Sequence, residues 1–105
     1  MSISTRYREL ESDVTDLSRK LAALEPPVPP RALRQMEKAR GRFAEIIEVG
    51  DVPIRKLERE LTPVLLEAHR DLDEARMELE QAGFAPQGGK VWELEQGIYR
   101  LLNSL

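Results

Sequence analysis

Chemistry in this chain has few places to start. His69 is the only histidine, with Glu67, Asp71 and Asp73 nearby in sequence. On a helix Asp73, four residues on, can reach the imidazole, whereas Glu67 and Asp71 project away. A lone histidine with no cysteine and no second histidine is a poor transition-metal ligand set. The paired Glu-x-x-His pattern of di-iron bundles is also missing. Carboxylates cluster at Glu45/Glu48, Glu58/Glu60, Asp71/Asp73/Glu74 and Glu93/Glu95. They could hold a weak divalent-cation contact, but solvated helix faces are ordinarily this acidic. Acid–base hydrolysis also requires a shaped pocket. The stretch Gly83 to Lys90 superficially resembles a phosphate-binding loop. Its glycine-to-lysine spacing is wrong, Val91 stands where a magnesium-binding hydroxyl is needed, and a helical pattern precedes it. The expectation is therefore no catalytic residue, no metal, no cofactor and no small-molecule substrate.

Two patterns point to recognition instead. Tyr7, Leu10, Val14, Leu17, Leu21 and Leu24 recur at alternating intervals of three and four, the seam of a helix that packs on another helix. Arg31, Arg34, Lys38 and Arg42 form a basic stripe along one helical face. That stripe could meet an anion or an acidic partner helix. The formal net charge of −3 and the lack of interleaved aromatic residues disfavour nucleic acid as its target.

The elements that carry these residues read as an all-α fold. One domain of four helices is expected over 1–105, an antiparallel bundle with a long central third helix. The heptad helix spans 4–24, capped by Ser4 and ended by prolines. Residues 25–30 (EPPVPP) form a stiff extended connector, because each proline fixes its own φ and restricts its predecessor. A three-helix core fills 31–105. Its first helix begins near Pro30 or Arg31 and runs to Glu48 or Val49, with Leu33, Met36, Ala39, Phe43, Ile46 and Ile47 inward. Gly50 and Asp51 make a short turn.

The third helix runs from Val52 to about Ala82, with Leu61, Leu65, Ala68, Leu72, Ala75 and Leu79 among its inward residues, and ends at Gly83. Pro63 inside it either kinks one helix or breaks it at a Thr62 cap; the stripe stays in phase across it, which favours the kink. Phe84–Lys90 reads as a loop and Val91 to about Asn103 as the last helix, with Trp92 and Tyr99 flanking its apolar stripe. A tight second turn would set Leu33 opposite Ala68, Met36 opposite Leu65, Arg31 opposite Asp71, Arg34 opposite Glu67, and Arg42 near Glu60.

The heptad helix has two possible mates. It can fold onto the second helix of its own chain. It can also pair with a second copy, and then the flanking charges favour a parallel homodimer, with Arg6 facing Glu11 and Lys20 facing Glu25. The function expected is a non-enzymatic interaction or assembly factor: an adaptor, a chaperone-like protein or a structural subunit. The alternative is a small nucleic-acid-associated regulator that uses the basic stripe. No apolar run is long enough for a membrane span, no signal peptide or lipidation pattern is seen, and no cysteine is present. A cytoplasmic setting, or an intracellular or virion assembly, is expected.

Overall fold

In the computed structural model, residues 2–46 and 54–105 are described, the first four of the second stretch by backbone alone. Helix α1 spans Ile3–Ala22, α2 Pro30–Ala44, α3 Ile54–Gln81 and α4 Ala85–Leu102. No strand occurs among the described residues. Helix α2 packs on α3, α3 on α4, and α1 on both α2 and α4. The four helices therefore close a ring of antiparallel neighbours, with α1 diagonal to α3. Apolar faces at 3.6-residue spacing meet along the axis. Tyr7, Val14, Leu21, Met36, Phe43, Leu61, Leu65, Leu72, Leu79, Val91, Ile98 and Leu101 are the largest buried side chains.

Several boundaries differ from the sequence reading, each for a local reason. Ser2 caps α1, not Ser4: its hydroxyl accepts from the Thr5 amide at 3.2 Å, the third helical position. The proline connector is bent rather than straight. It contains a cis Glu25–Pro26 peptide and turns Val28 into the core. Helix α2 stops at Ala44, short of Glu48. Carbonyls at and just past its end accept from α1: Tyr7 Oη donates to Phe43 O at 2.7 Å and Arg8 to Ile46 O at 3.0 Å. The Gly50 and Asp51 caps and the placement of Ile47, Glu48 and Val49 lie outside the described residues, as do the side chains of Ile54 and Leu57.

Pro63 does not break α3, which runs on without interruption past Thr62. The proline removes the bond to the Arg59 carbonyl, on an exposed side of the helix. At its far end α3 closes in a Schellman turn. Gly83 adopts φ +88°, its amide bonds Glu80 O, and the Phe84 amide bonds Leu79 O at 2.8 Å. Phe84 then packs against the core. The chain turns straight into α4 at Ala85, so the expected Phe84–Lys90 loop is helical. Pro86 suits a first turn, and Gly88 is buried because a Cβ there would lie 3.0 Å from Glu80 Cγ. Gly97 permits a second close crossing: a Cβ there would lie 2.8 Å from Leu10 Cδ2 on α1.

The α2/α3 register is also displaced from the one a tight turn would set. Arg42 bonds Asp71 at 3.2 Å and lies 3.8 Å from Glu67, about three and two turns beyond the expected Glu60. The pairings of Leu33 with Ala68 and Met36 with Leu65 are corrected accordingly: α2 ends at Ala44 rather than at Glu48. The α2 stripe of Ala32, Met36, Ala39 and Phe43 packs on the α3 stripe of Ala68, Leu72, Ala75 and Leu79. All eight are buried. Large residues alternate with alanines across this seam, which is how two helices interlock without voids.

Tyr7 links α1 to the end of α2. Its ring packs at a tilt of 49° against Phe43 with centroids 5.2 Å apart, and burial holds its hydroxyl far above the ordinary phenol pKa. Tyr7→Phe leaves the Phe43 carbonyl buried with one partner fewer. A loss of about 1–3 kcal/mol in urea unfolding is expected, with the helix content of the native state unchanged.

Candidate functional site

The heptad stripe is spent inside the chain. Tyr7, Leu10, Val14, Leu17 and Leu21 are buried against α2 and α4, and Leu24 is half-buried at the edge. The single chain thus buries against its own helices the side of α1 that a parallel homodimer would use. A ring of four helices requires two flanking neighbours for α1, and both come from its own chain. Only the last turn keeps an accessible side. There Leu17, Leu21 and Leu24 floor a groove of about 450 Å³ against the start of α4, with Lys20 on one wall and Lys90 on the other.

The basic stripe divides. Arg42 is held by Asp71, Glu67 and Glu45, and the Asp71 hydrogen bond strengthens its hold on its proton. Arg31 and Arg34 line a shallow depression with Glu74, Met77 and Glu78 of α3. Lys38 is exposed. Acidic residues of α3 thus share the surface with these cations, as the sequence led us to expect, but about three turns out of the expected register.

A polar cluster between α3 and α4 joins residues that looked unrelated in sequence. Glu95 projects from α4 into the interface and is 2 % exposed. Its Oε1 lies 3.7 Å from His69 Nε2, and its Oε2 lies 3.3 Å from Arg76 Nε. The angle at that second contact is too poor for a hydrogen bond, so both atoms are buried without a hydrogen-bond partner. Arg76 instead donates to Asp73 at 2.7 Å and to both oxygens of Glu80 at 3.1 Å. These bonds fix its charge: Asp73 is held below the usual carboxylate range chiefly by Arg76, and Arg76 is raised by Asp73. Glu95 goes the other way. Burial pushes its pKa up to about 8, Asp73 adds to the rise, and Arg76 opposes it.

At neutral pH Glu95 is thus a buried carboxylic acid facing an ionised Asp73. Such a group can in principle donate a proton. Here it is enclosed between two helices, so a substrate has no approach to it. Among the described residues no group of three or more His, Asp or Glu side chains is arranged to hold a metal ion.

The outer edge of this cluster is aromatic. The His69 ring meets Tyr99 edge-on, with centroids 4.6 Å apart. Tyr99, Trp92 and Leu66 are each about half exposed, at 48 %, 51 % and 53 %. Trp92 and Tyr99 lie two turns apart on one side of α4, flanking Glu95. Leu66 lies one turn before His69 on α3, so it sits on the same side of the bundle as Tyr99. The sequence reading marked Trp92 and Tyr99 as flanking the stripe, but it placed Glu95 with Glu93 among the surface carboxylates and missed its burial. The signal was there: Glu95 stands four residues after Val91 and three before Ile98, inside the apolar phase of α4. No family model, no curated protein and no solved structure matches this chain.

Proposed function

We propose that this chain is a non-enzymatic helical interaction factor that receives a protein partner on the α3/α4 face. The observation that supports this reading is the set of three large apolar side chains, Leu66, Trp92 and Tyr99, left half exposed beside a buried polar cluster. Single exposed apolar residues are common and mean little. Two aromatic residues and a leucine on one side of a helix pair make an anchor set of the kind that dominates binding energy at interfaces. The His69 contact and the cluster beneath restrain Tyr99, so less side-chain freedom is lost on docking.

A nucleic-acid role for Arg31, Arg34 and Lys38 is the weaker reading. Glu74 and Glu78 line the same depression as the two arginines, and phosphates would be repelled there.

A photo-cross-linking amino acid at position 92 identifies the partner, and Trp92→Ala with Tyr99→Ala then tests the face. The pair should weaken binding by roughly thirtyfold or more while helix content is kept. A captured partner whose affinity is unchanged by both substitutions removes the proposal. Mass measured over a range of concentrations tells whether the partner is a second copy.

A further inference from the structure

We infer that a second surface, the groove between the end of α1 and the start of α4, docks an acidic amphipathic helix of a partner protein. The groove has an apolar floor of Leu17, Leu21 and Leu24, bounded by Ala23, with Gln87 on the α4 side. Its two cations stand on opposite walls, Lys20 on α1 and Lys90 on α4, and neither ammonium makes an ion pair or hydrogen bond among the described residues. The α4 wall adds to the positive potential. Its first turn carries no acid, and Phe84 at the cap position supplies no side-chain acceptor to the free amides.

The arrangement of charge selects the occupant. An apolar floor between two cationic rims is the complement of a helix whose leucine stripe is flanked on both sides by carboxylates. The same rule pairs the flanking charges of coiled coils. A lipid surface is flat and would meet cations spread over one face. A duplex would need a longer basic track, and Glu25 follows directly on Leu24 at this edge. The chain's net charge is −3, so two unpaired lysines around an apolar floor are a local exception on its surface, and they attract carboxylates.

The site is separate from Leu66, Trp92 and Tyr99, so the two proposals fail independently. The probe is a synthetic helical peptide with leucine at the seam positions and glutamate on both flanks, titrated into the full chain labelled with ¹⁵N. Amide shifts should change at Ala23, Leu24, Gln87 and Lys90, and affinity should fall as salt rises. Lys20→Glu with Lys90→Glu should weaken binding about tenfold or more. A peptide carrying lysine in place of glutamate should then bind this variant better than it binds the unaltered chain. That reversal separates charge pairing from misfolding, because a damaged groove would not gain a new ligand.

Shifts at Trp92 and Tyr99 instead would overturn the groove and leave the α3/α4 face standing. Equal binding of both peptides to the unaltered chain would also overturn it. So would tighter binding to phosphatidylserine vesicles or to duplex DNA than to the acidic peptide, or a mass that doubles with concentration and closes the groove to the probe.

Discussion

Val14→Asp should unfold the chain outright. Val14 is fully buried at the middle of α1, between α2 and α4. The substitution forfeits roughly 1.5–3 kcal/mol of apolar burial. It also places a carboxyl group in the cluster of buried apolar side chains. That group must either stay charged at large desolvation cost or take up a proton, and both add several kcal/mol. The total is about the whole stability of a domain this size, on the order of 5–15 kcal/mol. Circular dichroism at room temperature should show most helix lost, in all four helices together, because each flanking helix loses one of its two mates. The opposite result is just as informative. Native helix content and an unchanged melting curve, with only a smaller mass in sedimentation, would mean that the stripe joins two chains rather than four helices of one. A milder companion, Val14→Ala, should lower stability by about 1–3 kcal/mol and leave the fold intact.

The same stripe shows what a sequence can and cannot disclose. Heptad spacing announces that α1 packs on helices, since the spacing is a property of a single helix and is visible locally. It does not name the mate. Tyr7 and Leu10 meet Phe43 and Gly97, far along the chain, and no local pattern encodes that choice. The inward stripes of α2, α3 and α4 were legible for the same reason as the heptad. The register of α2 on α3 was not. It goes with where α2 ends, and carbonyls at and just past that end accept from Tyr7 and Arg8 of α1.

The start of α4 was misread because Gly88, Gly89 and Pro86 are loop residues on average. Here the Schellman turn at Gly83 supplies the break, which leaves Pro86 at a first turn and Gly88 at a tight contact. Of the polar cluster, the pairing of His69 with Asp73 by helical spacing could be foreseen only as reach. Its junction with Glu95 needs two helices laid side by side, and nothing short of the fold brings those residues together.

Glu95→Gln should change the shape of the pH–stability curve more than any other single substitution at the surface of this core. An unfolded glutamate titrates near 4.5, and in the fold Glu95 holds its proton until about pH 8. Between those values the folded chain binds a proton that the unfolded chain has released. Stability therefore falls as pH rises, by up to roughly 1.4 kcal/mol per pH unit from this group, and levels off above about 8. Asp73 acts in the opposite sense. Its folded carboxylate is held below 3.8 by Arg76, so it contributes stability above that value and loses it as pH falls through the acid range. The unaltered chain should thus be most stable in mildly acid solution.

Glutamine keeps the shape of a protonated Glu95 and an N–H to offer Asp73, but it does not titrate. At pH 5 the variant should match the parent closely. At pH 8.5 it should be more stable by several kcal/mol, read as a higher urea midpoint with an unchanged slope. Because the imidazole of His69 lies 3.7 Å from Glu95, the comparison is made with His69→Gln in both chains. Parallel curves for parent and variant would show that Glu95 is not held protonated between these helices. A divergence that grows from pH 5 to 8 would show a buried acid kept at a cost in stability. What it supplies in return is position: with Asp73, Arg76 and His69 it fixes how α4 lies on α3, and so where Trp92 and Tyr99 stand. The partner that reads those two rings should then bind the Glu95→Gln chain as well as the parent, and should bind less well when Glu95→Leu abolishes the polar link altogether.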